Sequence, residues 1–278
     1  MCNGIVNKII PFSAVDGPGN RTAIFLQECN FNCLYCHNPE TINKCNSCGK
    51  CVKVCPVEAL SVINKKVVWN ESKCVGCDEC IGVCEFDSTP KTKVMSSDDI
   101  IKDLLNVLPF ISGITISGGE CSLQSEFIGE LFKKTKNLGI TNFLDSNGYI
   151  LLKSLPDLYS YMDKAMIDLK SFDNTEHIKL TGKDNYTIIQ NIKELAKDNK
   201  LYEVRTVIVP EILDNKGNVE KISQLIASLD SFIRYKLIKY RPHGIRKELI
   251  NTNSPSDEYM EKLKSIAMEN GCKNIIIV

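Results

Sequence analysis

The chain carries no surplus of either charge: 34 lysines and arginines stand against 34 aspartates and glutamates in 278 residues. A balanced surface argues against general binding to nucleic acid or to anionic membrane, both of which need a field of one sign. Nor is there a run of about 18 apolar residues of the kind that crosses a bilayer. The opening ten residues, Met1 to Ile10, lack the long apolar core and small-residue cleavage site of a signal peptide. These absences lead us to expect a cytosolic protein without a nucleic-acid or membrane partner. In that compartment thiols stay reduced, so the fourteen cysteines read as metal ligands and not as disulfides. With 43% hydrophobic residues the chain can bury one large core and still carry a small insert.

A further absence lies inside the first cysteine motif. Cys29, Cys33 and Cys36 are spaced C-x3-C-x2-C and have no fourth partner in their run. Three thiolates can hold three corners of a cubane iron-sulfur cluster, whereas an ordinary electron-transfer cluster is closed by four. The iron left open can bind a ligand, the feature that separates a catalytic from a structural metal site. Two plainer readings compete. Cys33 to His37 also spells C-x-x-C-H, the signature of covalent haem attachment, and C-x2-C pairs often bind zinc. Haem attachment of this kind normally needs export, which the cytosolic reading disfavours.

Eight more cysteines fall in one short segment. Cys45, Cys48, Cys51 and Cys55, followed by Pro56, and then Cys74, Cys77, Cys80 and Cys84 are two copies of the bacterial ferredoxin run C-x2-C-x2-C-x3-C. In such tandems the fourth cysteine of each run ligates the other cluster. Cys45, Cys48, Cys51 and Cys84 are therefore expected to hold one cubane, and Cys74, Cys77, Cys80 and Cys55 its neighbour. A pair of zinc sites would need separated C-x2-C pairs and no third cysteine two residues on. The second run has Glu85 where proline is usual, which removes no ligand.

Around this segment strands and helices alternate. Strands are expected at 23–27, 113–117, 141–144, 165–169, 203–209 and 235–240, and helices at 126–136, 186–197 and 219–229, with a further helix capped by Ser97 and a last one opened by Ser254-Pro255. Alternation of this kind implies parallel strands with helices outside. Only six strands are countable, so the expectation is α/β, an incomplete (β/α)6 barrel formed by residues 1–40 and 91–278, short of the closed eight-fold form. Residues 41–90 are expected to form the inserted bacterial-type two-cluster ferredoxin domain.

The strand ends carry the remaining chemistry, as expected if a site lies on that face. Ser117-Gly118-Gly119-Glu120 offers glycines that let backbone approach a ligand, although a Gly-Gly-Glu alone is usually a turn. Asp145-Ser-Asn-Gly148 and Met166-Ile-Asp168-Leu-Lys170 have equally plain readings as an Asn-Gly turn and a solvated strand end. Arg205 lies in an apolar run, and a buried arginine usually needs an anion. Cys121 follows a helix-start pattern that can lower a thiol pKa, yet a small buried cysteine is the commoner explanation. Cys2, Cys272 and His177 read as structural or surface residues.

Taken together, the triplet with Tyr35, His37 and Asn38, the loop Asp16-Gly-Pro-Gly19, Gly118-Gly-Glu120, Asp145-Ser-Asn-Gly148, Met166 to Lys170, Arg205 and Pro242-His-Gly244 resemble the glycyl radical enzyme activating enzymes of the radical S-adenosylmethionine (SAM) superfamily along nearly the whole chain. The branch with a two-cluster ferredoxin insert, the YjjW-type activases, looks most similar. The resemblance implies a radical SAM barrel with three [4Fe-4S] clusters, catalysis at Cys29, Cys33 and Cys36, and SAM on the open iron. It also implies SAM contacts from Tyr35, His37, Asn38, Gly118, Gly119, Glu120, Asp168, Lys170, Arg205 and His243. By the same resemblance Na+ or K+ would sit at Asp145, Ser146, Met166 and Asp168, although Ser146 replaces the usual threonine. Asp16 would receive the glycyl loop of a partner enzyme, and a low-potential flavodoxin or ferredoxin would supply electrons. Glu28 stands where the family usually has glycine. Two other functions stay open on the residues: radical SAM chemistry on a small molecule or another peptide, and plain electron carriage, for which neither the open triplet nor the barrel is needed.

Overall fold

The computed structural model describes residues 2–278. Its strands are β1 (Asn3–Ser13), β2 (Arg21–Leu26), β3 (Leu60–Ile63), β4 (Lys66–Trp69), β5 (Lys93–Ser96), β6 (Gly113–Gly118), β7 (Thr141–Ser146), β8 (Lys164–Asp168), β9 (Leu201–Ile208), β10 (Arg234–Lys239) and β11 (Ile275–Ile277). The helices are α1 (Glu79–Gly82), α2 (Ser97–Leu105), α3 (Ser125–Asn137), α4 (Pro156–Tyr161), α5 (Asn174–Thr181), α6 (Tyr186–Lys197), α7 (Asn215–Leu229) and α8 (Asp257–Glu269). No helix among the described residues is long and apolar enough to cross a membrane.

Nine strands form one sheet in the order β11-β10-β9-β8-β7-β6-β2-β1-β5, and β3 pairs only with β4. From β2 to β11 every neighbouring pair is parallel, while β1 and β5 add antiparallel strands beyond β2. All six expected strands are present. The sheet also has a seventh parallel strand, β11, which the sequence reading passed over because three isoleucines are too short a run to separate from a helix end. Alternate residues of each strand, such as Ile24, Ile114, Ile116, Leu144, Ile167, Val204 and Leu237, are fully buried under the helices, as a period of two on a covered sheet requires.

Two helix starts differ from expectation. Ser96, not Ser97, caps α2, in a capping box with Asp99, because Ser97 turns inward to Glu130 at 2.5 Å. Ser256, not Ser254, caps α8, its hydroxyl accepting from the backbone of Tyr259.

The sheet is curled. β2 and β10 are five strand spacings apart, which in a flat sheet is about 24 Å. Yet the loops that follow them touch: His37 Nδ1 lies 3.1 Å from the His243 carbonyl, and Arg246 donates to the Cys33 carbonyl at 2.8 Å. The ends of the parallel strands thus converge on one mouth. The hairpin from β1 to β2 lies at the opposite mouth, since Ser13 pairs with Arg21 at the start of β2 and the cysteine loop follows its end.

Candidate metal and cofactor site

Cys29, Cys33 and Cys36 occupy the loop after β2 and border one open cavity of about 770 Å³. The loop is anchored along its length. The Cys29 N–H donates to the Ile42 carbonyl at 2.9 Å, Asn32 to Thr181 at 3.0 Å, and Leu34 to Leu180 at 2.9 Å. Burial pushes the thiols of Cys29 and Cys33 up to about 12, and raises Cys36 as well. They are protonated until a metal displaces the protons, which makes loading pH-dependent.

Gly118 and Gly119 bring the end of β6 against this loop. A Cβ on Gly118 would lie 2.1 Å from the Leu26 carbonyl oxygen, and one on Gly119 would lie 2.4 Å from that of Glu28. Both glycines border the cavity, so the same absence of side chain seats the cysteine loop and exposes backbone to a ligand. Gly244, at φ +73, also seats the cysteine loop, since a Cβ there would lie 2.7 Å from the His37 carbonyl oxygen.

Glu120 is buried, with 1% of its surface exposed. One carboxylate oxygen accepts from the Ser122 amide at 2.9 Å, the Ser122 hydroxyl at 2.5 Å and the Ser146 hydroxyl at 2.8 Å, while the other accepts from the Asn147 amide at 2.7 Å. Its acceptor capacity is engaged by the protein, and it does not border the cavity. Its work is to fix Ser146 and Asn147. Asn147 in turn donates to Asn30 Oδ1 at 2.8 Å, tying the loop after β7 to the cysteine loop.

The charged groups form a connected set. Lys170 reaches Asp168 at 2.5 Å and sits 6.0 Å from the centre of the Tyr35 ring. Burial opposes its charge, but the Asp168 carboxylate outweighs burial and holds the ammonium above its usual range. Asp168 is held below the carboxylate range because Lys170 and Arg205 outweigh the same desolvation. Arg205 donates to Asp145 at 2.8 Å, to Glu203 at 2.7 Å and to the Met166 sulfur at 2.8 Å. Burial likewise fails to discharge it against Asp145, Asp168 and Glu203. Asp145 also accepts from Ser117 at 3.0 Å. A guanidinium therefore already bridges Asp145 and Met166, two of the four residues expected around a monovalent cation.

Tyr35, Cys36, His37, Asn38, Gly118, Gly119, Asp145, Ser146, Asp168 and Lys170 all border the cavity. The imidazole of His243 is exposed at the rim, where its backbone meets His37. Cys121 is fully buried and donates to the Asp145 carbonyl at 3.2 Å, with burial raising its thiol far above the usual value. Cys272 and His177 are buried, and Cys2 is half-buried at Glu130. Asp16 lies in the hairpin at the other mouth, where it accepts from Ser13 at 2.5 Å. The sequence reading did not single out Asn147 or Arg246. Asn147 could have been taken from the Asp-Ser-Asn-Gly motif, but nothing in the sequence signals the partner of Arg246, Asp87, 159 positions away.

The cavity tests well for a cluster. The Tyr35 hydroxyl at its edge is buried without a partner. Among the described residues no three His, Cys, Asp or Glu side chains are grouped tightly enough for a single ion. A lone zinc would require its thiolates at about 2.3 Å from one point. Three thiols border one cavity without forming a single-ion site, as a multi-iron group held by three thiolates requires.

The eight remaining cysteines lie between Asn43 and Ser88, whose bridge closes the segment. Cys55, Cys74, Cys77 and Cys80 border one cavity of about 310 Å³, the set expected from crossed ligation.

The family model described as a 4Fe-4S single cluster domain matches residues 15–189, more than half of the chain, and the chain belongs to that family. A Haemophilus influenzae protein provisionally named a glycyl-radical enzyme activating enzyme is 28% identical over 295 residues, covering 98% of this chain and 96% of that one. A Staphylococcus epidermidis protein named pyruvate formate-lyase-activating enzyme is 26% identical over 289 residues, covering 98% of each. Among solved structures, a domain of pyruvate-formate lyase-activating enzyme from Bacteroides vulgatus superposes with a TM-score of 0.52 at 24% identity, covering 60% of this chain and 99% of that domain. That likeness supports the fold.

Proposed function

We propose that this protein is a radical SAM activating enzyme, an oxidoreductase that installs a radical on a backbone glycine of a partner glycyl radical enzyme. The observation that carries the reading is a set of three cysteines, with no fourth, bordering one cavity with Lys170, its partner Asp168, and Asp145; Asp145 is paired to Arg205, which does not itself border the cavity. Relatives matched over nearly their whole length and named for this activity support it.

Cys29, Cys33 and Cys36 would hold a [4Fe-4S] cluster, which with bound SAM supplies one-electron cleavage to methionine and a 5'-deoxyadenosyl radical able to take a hydrogen atom from glycine. The chain's own residues do the holding. Arg205 offers a permanent positive charge to a carboxylate, in a fork geometry suited to it. Asp168, kept ionised by Lys170, offers an acceptor for ammonium or ribose hydroxyl groups. Gly118 and Gly119 offer backbone at short range, with Tyr35, His37 and Asn38 as further contacts and His243 at the rim. Glu120 acts through Ser146 and Asn147. A Na+ or K+ ion at Asp145, Ser146, Met166 and Asp168 is a finer part of the proposal, and it requires Arg205 to leave Asp145 and Met166 for the SAM carboxylate.

The finer kinship is to the YjjW-type branch. In this reading residues 41–90 form a ferredoxin insert with two further [4Fe-4S] clusters, on Cys45, Cys48, Cys51 and Cys84 and on Cys55, Cys74, Cys77 and Cys80, within an incomplete barrel of residues 1–40 and 91–278. A cytoplasmic flavodoxin or ferredoxin would supply the electrons. Asp16 would receive the partner loop. Exposed Phe12, Val15 and Phe110 lie at the same mouth and suit a protein surface, and a glycine received there must reach along the inner face of the sheet to the cavity.

The test is transfer of label from a glycyl radical protein carrying deuterated glycine. Deuterium should appear in 5'-deoxyadenosine, and the partner should gain a doublet in electron paramagnetic resonance. Alanine at Cys29, Cys33 and Cys36 together should abolish both while leaving about eight of about twelve irons, at four per cubane. Vigorous SAM cleavage with no label transfer to any such partner would shift the reading to a small-molecule substrate. Asp16→Asn should depress labelling at subsaturating partner without altering SAM binding.

A further inference from the structure

The cavity bordered by Cys55, Cys74, Cys77 and Cys80 contains a polar atom that the protein does not satisfy. Trp69 closes β4 opposite Leu60 and borders this cavity, and its indole Nε1 is buried with no acceptor. Indole N–H can only donate, and buried donors in folded proteins are paired almost without exception. Apart from the cysteine sulfurs, the side chains round the cavity offer one acceptor group, the carboxylate of Asp78, and that is engaged by Lys91. Trp69 also borders a cleft lined by Asn7, Glu40, Glu71 and Thr89, yet its N–H bonds to none of them, and the cysteine-lined interior is the side on which a cluster would place sulfur acceptors.

We propose that Trp69 Nε1–H donates to a sulfur of the cluster held by Cys55, Cys74, Cys77 and Cys80, and so raises that cluster's reduction potential. The inference rests on the three-cluster reading above. A donor to cluster sulfur stabilises the more negative, reduced state, and hydrogen bonds to the sulfurs are among the factors that set cluster potentials. The ammonium of Lys91 borders the same cavity, but its charge is offset by Asp78, which leaves the indole as the uncompensated donor. Trp69 also borders the cleft where this segment faces Asn7, Lys8 and Glu40, so the residue tuning the cluster lies on the side that meets the main sheet.

Trp69 is the chain's only tryptophan, which makes the test specific. In the native, anaerobically reconstituted protein with ¹⁵N-indole tryptophan, one reduced cluster should show a single ¹⁵N hyperfine coupling and an exchangeable proton coupling. Trp69→Phe keeps a ring against Leu60 and removes only the donor. In that variant the proton coupling should vanish and one cluster potential should move to a more negative value, the other two staying fixed. Twelve irons per chain with no ¹⁵N coupling in native protein, or with all three potentials unchanged in Trp69→Phe, would overturn this proposal alone. Four irons per chain in native protein would overturn the three-cluster reading and this proposal with it. The ¹⁵N measurement decides the matter even if the variant does not fold.

Discussion

The two groups of cysteines are held by opposite means. Around Cys29, Cys33 and Cys36 the protein does the holding: backbone bonds to the carbonyls of Ile42, Thr181 and Leu180, the Arg246 bond to the Cys33 carbonyl, and the Asn147–Asn30 contact tie the loop to the end of α5 and to the loops after β7 and β10. Between Asn43 and Ser88 there is little to do so. The regular structure there is the β3–β4 hairpin, the four residues of α1 and short 3-10 turns. Its buried apolar cluster has three members, Cys51, Leu60 and Cys80, two of which are expected ligands. Six of the nine non-glycine residues with positive φ among the described residues also lie here: Ser47, Glu58, Asn64, Lys65, Asp78 and Asp87. Such backbone persists only where something over-determines it, and a segment this small usually needs a metal or disulfide to stay folded. The main sheet prepares a site for a cluster, whereas the small segment, on the proposed reading, would need the two clusters assigned to it in order to have a structure.

The largest test of that contrast is iron removal. Chelation under anaerobic conditions should open residues 45–84 to protease within the first cuts, because ligand binding and folding are the same free energy in such a segment. The main sheet, whose core is built of aliphatic and aromatic side chains with Cys121 and Cys272 as its buried cysteines, should keep its far-ultraviolet dichroism and its thermal transition. Limited proteolysis with mass mapping checks this. Cleavage spread evenly over the chain would mean that both regions depend on metal alike.

A second effect lies at the seam between the regions. Arg246 donates to Asp87 Oδ2 and to the Cys33 carbonyl, both at 2.8 Å, and so joins the end of the small segment to a residue of the cysteine triplet. Its side chain is 11% exposed, so water cannot readily replace either bond. Arg246→Met should cost about 1.5 to 3 kcal/mol, the range for bonds to charged groups, and should speed proteolysis of residues 45–84 in the iron-loaded protein. Asp87→Asn should cost less, because the Cys33 bond survives. Equal losses in the two variants would place the whole effect in the Asp87 contact.

The seam also marks where reading the sequence stops. The six parallel strands were legible because each is a run of apolar residues long enough to show its period, as in Gly113–Gly118 and Thr141–Ser146. The cysteines were legible because spacing alone constrains how thiols share a metal. β1 was not, since its eleven residues alternate unevenly and a register shift between Val6 and Lys8 breaks the pattern. Glu120 was expected to touch a ligand because its motif occurs beside one, and only its four protein donors reveal that it works through Ser146 and Asn147. Arg246 sits in an irregular loop with no periodicity, and its partners come from the fold alone.

A smaller effect concerns how acid loosens the better-built region. His177 on α5 is buried against Phe31, with ring centres 5.7 Å apart, and its Nδ1 lies 2.8 Å from the Lys183 carbonyl. Burial lowers its pKa below the usual 6.5, with Lys170 acting in the same direction and Lys183 and Asp184 opposing. The ring is neutral in the folded protein and charges more readily once unfolded. Its contribution to stability is therefore complete above the unfolded value and is lost as pH falls through 6.5 toward the lower folded value. Thermal melts of the wild type should lose stability over that window more steeply than melts of His177→Gln. Parallel curves would show that His177 does not titrate with unfolding.

The smallest effect is at Glu28, and its sign is the informative part. Glu28 adopts φ +87, in the left-handed half of the map where a side chain costs roughly 1 to 2 kcal/mol, a cost that glycine would not carry. Its carboxylate turns toward the small segment and pairs with Lys44 at 2.6 Å. Both partners are substantially exposed, so the pair is worth about 0 to 1 kcal/mol. Backbone strain outweighs the ion pair, and Glu28→Gly should raise the unfolding midpoint slightly even though it breaks that contact. Glu28→Gln keeps the strain and removes the charge, and should lower stability by no more than the ion pair is worth. If glycine destabilises the protein, the Glu28–Lys44 contact contributes more than an exposed pair normally does, and the small segment is held to the main sheet by charge at this seam as well as by Arg246.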